Sequence, residues 1–226
     1  MKILKKPILA LFFTMITQAQ EKDITIGLIG DSTVANTYGW GPSFASQVAK
    51  TTKVLNFAKN GATLESLSGK LDELLQRKPH YVLVQFGHND QKRYSKEAYQ
   101  GKLSSYVARI KKSGAQAVIL SSVTRRNFDE KGQIRPWINE KHPSNLPLNA
   151  KAAQQVAKKE RVPFIDLYSL SVAHHNKIGP EKSAKYHYNK DDRTHFSKEG
   201  AEAIAALVVA ELKVAIPKLG PSLKSQ

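Results

Sequence analysis

Apolar residues fall along this chain in short dense runs, separated by stretches whose apolar positions recur three and four residues apart. The dense runs are 24–29, 53–57, 81–86, 115–123 and 163–167. Runs this short and continuous, bounded by turn residues, predict strands buried on both faces. Between them, Leu64, Leu67, Leu71, Leu74 and Leu75 follow helical spacing, as do Leu103, Val107 and Ile110. Further helices are predicted over 42–50, 150–159 and 201–214, with a short one at 169–177. Ser197 reads as the N-cap of the last. Strand and helix alternate throughout, which predicts an α/β fold: a five-stranded parallel sheet between two helical layers, an α/β/α sandwich. Right-handed crossovers and the strand order 2-1-3-4-5 are the default for such a sheet. Two stretches break the pattern, 125–148 with Gly132, Pro136, Pro143 and Pro147, and 179–196. Connections of that length usually carry function.

The amino terminus lies outside the alternation. Lys2, Lys5 and Lys6 precede an apolar stretch, 7–16, that is too short to span a bilayer, and Ala19 offers a small residue for cleavage. Residues 1–19 are therefore expected to be a signal peptide and 20–226 one domain, exported to the periplasm or beyond, with no stable membrane anchor. The chain has no cysteine, so it carries no disulfide framework, no thiolate nucleophile and no cysteine metal site. Its formal net charge is +16. Such an excess draws polyanions. For an exported chain that favours an acidic polysaccharide over nucleic acid, although the lysines also fit a solvated face, as at Lys158, Lys159 and the C-terminal tail.

Candidate chemistry gathers where the predicted strands end. Ser32 follows the first strand, the position at which open parallel sheets place their sites. A serine hydroxyl needs a base. His195, just before the last helix, is the natural one, and Asp192 three residues earlier is placed to reach its other ring nitrogen. Three donors are candidates for holding a developing oxyanion: the N–H groups of Ser32 and Gly61 and the side-chain amide of Asn89. Asp31 and His88 read as structural supports of these loops. Trp40 reads as core, and Trp137, in the irregular stretch, as a substrate contact. Arg125, Arg126 and Arg135 are candidates for binding substrate carboxylates, or else for bracing the long loop. His174, His175 and His187 follow no metal-binding spacing, so no metal or cofactor is expected.

Taken together, Ser32, Gly61, Asn89 and His195 resemble the four blocks of the SGNH (GDSL-like) hydrolase superfamily. More narrowly, the chain resembles its rhamnogalacturonan acetylesterases at Gly-Asp-Ser-Thr-Val (30–34), Gly-Trp-Gly (39–41), Asn-x-Ala-x-x-Gly (56–61), Gly-His-Asn-Asp (87–90), Thr-Arg-Arg-x-Phe (124–128) and Asp-x-Thr-His-Phe (192–196). It departs from them at 62–65, where Ala-Thr-Leu-Glu replaces an Arg-Ser-rich run, and in the length of 125–148. The resemblance implies a flavodoxin-like α/β/α domain without cofactor and a catalytic Ser32, Asp192 and His195. It also implies removal of O-acetyl groups from an acetylated, acidic plant cell-wall polysaccharide. A lipid or thioester hydrolase and a non-catalytic polysaccharide-binding protein are the alternatives.

Overall fold

The computed structural model describes residues 23–135 and 145–224. The expected signal peptide and Trp137 lie outside the described residues.

Five strands form one parallel sheet: β1 (Ile24–Gly30), β2 (Thr52–Asn56), β3 (Tyr81–Gln85), β4 (Gln116–Leu120) and β5 (Phe164–Ile165), in the order β2-β1-β3-β4-β5. Consecutive strand residues point to opposite faces, and here both sets are apolar. Ile26, Leu28, Leu83, Val118 and Leu120 pack against α1 (Gly41–Ser46) and α6 (Lys198–Ala215), where they meet Phe44, Ile204, Val208 and Leu212. Ile29, Val82, Val84, Ala117 and Ile119 pack on the other face. There they meet Leu71 and Leu74 of α2 (Ser68–Gln76), Leu103, Val107 and Ile110 of α3 (Lys96–Lys112), and Ala153 and Val156 of α4 (Leu146–Glu160). Two buried faces explain why the strands read as unbroken apolar runs. They also give the three-layer arrangement predicted above.

Helix starts follow local chemistry. Ser95, Asn145, Asp166 and Ser197 each accept a hydrogen bond at a helix N-terminus from the backbone N–H three residues on. Each such cap is worth about 1 kcal/mol. The Asn145 cap starts α4 four residues earlier than the periodicity suggested.

Three other expectations shift. The first helix stops at Ser46 because the chain then pairs with its own C-terminus: Val48 bridges Leu223, and Ala49 N–H donates to Ser222 O. The same contacts bury Leu219 and Leu223, while Lys218 and Lys224 of that stretch stay exposed as expected. The leucine-spaced helix starts only at Ser68, since Thr63 and Ser66 bond each other and the Leu64 N–H is taken by Asp90. Finally, α5 (Leu167–Ala184) runs on into the stretch expected to be loop, with a break at Gly179–Pro180.

Candidate active site

The carboxyl ends of β1, β2 and β3 and the segment leading into α6 converge on one face. Ser32 Oγ lies 2.8 Å from His195 Nε2, and His195 Nδ1 lies 2.7 Å from Asp192 Oδ2. The second Asp192 oxygen accepts the N–H groups of Thr194 and His195, both at 2.9 Å. The three-residue spacing thus winds the segment around its own carboxylate. Burial works to raise the Asp192 carboxyl, but the N–H groups and ring of His195 and the N–H of Thr194 outweigh it and hold it below its ordinary value. An ionised carboxylate can only accept, so it fixes the neutral imidazole proton on Nδ1. Nε2 is left as a lone pair facing the Ser32 hydroxyl.

The turn carrying Ser32 is held by a buried polar chain. Asp31 Oδ1 accepts the N–H and hydroxyl of Thr33, Gln85 Nε2 donates to the Thr33 hydroxyl at 2.6 Å, and Trp40 Nε1 donates to Gln85 Oε1 at 2.9 Å. Trp40 is therefore core, as expected, but a core residue wired to the site. Gln85 was missed by the sequence reading. Its one signal is a lone amide at the end of an otherwise apolar strand.

Gly61 follows β2 with φ at +71°, left-handed backbone that glycine adopts without strain. Among the described residues neither its N–H nor that of Ser32 donates to a protein acceptor. Asn89 Nδ2 donates to Ala62 O at 3.0 Å. An amide nitrogen carries two hydrogens, so that bond anchors Asn89 beside Gly61 and leaves one hydrogen over.

The structure corrects the placement of Arg126. Expected at the substrate, it is 1% exposed and sits behind the His195 segment. Its Nη2 donates to the carbonyls of Asp192 (3.0 Å) and His195 (2.5 Å), its backbone N–H donates to Arg193 O, and its guanidinium packs over the Phe196 ring. Burial pushes it down to about 10, against the pull of Asp192. Its work here is to brace the loop. Arg125 is half-buried, with burial lowering it against the opposing carboxylates of Asp192 and Asp31. Arg135 is exposed.

His88 is buried beneath the site, its Nε2–H donating to Val123 O at 3.1 Å, and burial holds it well below its ordinary value. His175 is likewise held neutral by burial, down to about 3, against Ser183. Among the described residues no cluster of three or more His, Asp or Glu is placed to hold a metal ion, and no helix is long and apolar enough to cross a membrane.

Asp90 is fully buried. One carboxyl oxygen accepts the Leu64 N–H at 2.9 Å, and the other has no protein partner. Burial raises it to about 7, against the Leu64 bond and with help from the nearby Asp31 charge. The folded state therefore keeps a proton that the unfolded chain releases above its ordinary 3.8. Stability contributed by the neutral form is present at acid pH and falls as pH rises through about 7. Asp90→Asn removes the charge and should flatten this slope. Between about pH 5 and pH 8 the wild type should lose on the order of 2–4 kcal/mol more than the variant. Urea unfolding at both pH values measures the difference.

Residues 28–203 match the family model described as the GDSL-like lipase/acylhydrolase family. The chain is similar to rhamnogalacturonan acetylesterase RhgT of Bacillus subtilis, with 33% identity covering 90% of this chain and 94% of that protein. Among solved structures it resembles the YxiM protein of Bacillus subtilis, at a TM-score of 0.73 and 27% identity. That likeness covers 85% of this chain and 57% of the other. It also shares the fold of Axe2, an acetylxylan esterase from Geobacillus stearothermophilus, at a TM-score of 0.62 and 19% identity over 84% of this chain and 94% of that one.

Proposed function

Since the chain belongs to the GDSL-like lipase/acylhydrolase family, we propose that it is a serine carboxylic-ester hydrolase that removes O-acetyl groups from a plant cell-wall polysaccharide, rhamnogalacturonan before others. The observation that carries the reading is the unbroken hydrogen-bonded line from Ser32 Oγ through His195 to Asp192. A pure binding protein has no use for that line. Similarity to RhgT across most of both chains supports the substrate. The net charge of +16, which stays strongly positive without Lys2, Lys5 and Lys6, supports an acidic polymer. The basic and apolar segments of residues 1–19 support export.

In this reading Ser32 Oγ attacks the acetyl carbonyl while His195 Nε2 takes its proton. Asp192 steadies the resulting imidazolium and keeps the ring in register. Negative charge collects on the carbonyl oxygen, where the N–H groups of Ser32 and Gly61 and the remaining Asn89 hydrogen receive it. The sugar oxygen leaves with the proton from His195. Water then attacks the acetyl-serine by the same route, giving acetate and free Ser32. No step calls for a metal or cofactor. A lipid acyl chain would call for an apolar trough, whereas Tyr38, Asn89 and Arg125 stand beside this site.

Acetate release from acetylated rhamnogalacturonan, run beside acetylated xylan, tests the proposal. Faster release from the pectic polymer is expected. Faster release from xylan would keep the ester chemistry and overturn the acidic substrate. Release from neither polymer, with small acetate esters still cleaved, would overturn the carbohydrate reading.

A further inference from the structure

A cleft of about 420 Å³ opens between the segment after the Ser32 turn and the segment before α6, within the size range of ligand sites. Tyr38 and Tyr188 form one wall, their rings packed edge to face at 4.5 Å. Tyr38 also lies against the His195 ring, 5.2 Å between centroids, so the cleft begins one ring's breadth from the reacting atoms. Asn36, Thr37 and Lys198 supply polar groups around the aromatic wall. Tyr188 keeps 47% of its surface in solvent, an unusual exposure for a large ring beside a site.

The wall is rigid. Gly39 packs so closely on the Ser32 turn that an added Cβ would fall 2.4 Å from the Val34 carbonyl carbon. Its N–H donates to Ala35 O, and the N–H groups of Trp40 and Gly41 donate to Thr33 O and Val34 O. Across the cleft, Phe196 N–H donates to Tyr38 O and Tyr188 N–H to His195 O. Backbone bonds thus anchor both tyrosines, and their rings pack on each other, which lowers the ordering cost on binding.

We propose that this cleft is a sugar subsite: it holds the pyranose next to the one whose ester sits at Ser32, with the apolar face of the sugar on the Tyr188 ring. The occupant follows from chemistry. A pyranose offers polarised C–H groups on a face and hydroxyls around its rim. An aromatic ring presents negative charge on its face, and the Asn36 and Thr37 side chains can both donate and accept. This assignment rests on the carbohydrate reading above and adds to it the residues that separate a polymer from a small ester.

The test compares kcat/KM for an acetylated oligosaccharide with kcat/KM for 4-nitrophenyl acetate, in wild type, Tyr188→Ala and Tyr188→Phe. Tyr188→Ala should lower the ratio about tenfold, mostly through KM for the oligosaccharide, while Tyr188→Phe keeps the ring and restores it. The backbone bond from residue 188 to His195 survives both changes. An unchanged ratio in Tyr188→Ala, with wild type still cleaving the oligosaccharide, would overturn the subsite and leave the carbohydrate reading intact. Wild type cleaving only the small ester would overturn both.

Discussion

Ser32→Ala is expected to lower kcat for a small acetate ester by roughly 10⁴–10⁶, the range seen when a nucleophile is removed from a unit that acts together. The loss will report chemistry rather than folding, because among the described residues the Ser32 hydroxyl bonds to no group but the His195 ring. Its neighbour Thr33 makes the contrast. The Thr33 hydroxyl both donates to Asp31 and accepts from Gln85 inside the core, so truncating it would disturb the turn as well. Circular dichroism and thermal unfolding of Ser32→Ala should match wild type. Retention of more than about 1% of kcat would mean that ester cleavage does not pass through a Ser32 adduct.

The second large effect is expected at Asp192. An asparagine there ordinarily has two ways to sit, but this loop allows one. The Oδ1 position must keep accepting from the Thr194 and His195 N–H groups. The amide nitrogen is therefore turned toward the imidazole. A donor facing Nδ1 drives the ring proton to Nε2, where it points at the Ser32 hydroxyl and cannot accept from it. Asp192→Asn should thus cost about 10⁴ in kcat while the loop keeps its shape. The KM for small esters should barely move. NMR of the ring nitrogens would show the tautomer directly, and a proton still on Nδ1 in the variant would overturn the argument.

Much of the frame was legible because its rules are local. Apolar runs marked the strands, three-and-four spacing marked the helices, and Ser197 capped α6 as read. Alternation of the two gave the parallel sheet, and its strand order is the default one, which no residue of the sequence specifies. What stayed hidden depends on partners distant in sequence. Nothing near residue 46 announces that the chain will pair there with residues 222–224. Nothing near Leu64 says that a carboxylate from another loop will take its N–H. The site divides the same way. Asp192 meets His195 through a three-residue turn that spacing alone suggests. Arg126 read as a binder of substrate carboxylates, with bracing of a long loop as the alternative. That it runs inward, to the carbonyls of a loop 66 and 69 residues later, is a property of packing. Tyr188 carries no sequence signal, since its place in the cleft comes from the fold alone.

Ser32 and His195 touch although they lie 163 positions apart in the chain. Ser32 sits just after the first strand, and His195 just before the last long helix. A contact spanning so much sequence pays its loop-closure cost late in folding. The pair exists only once the turn after β1 and the segment before α6 are both in place. A chain not yet docked holds a serine without its base and an imidazole without its serine. Hydrolytic power switches on only when the molecule is whole, and a clip that frees the terminal helix switches it off again.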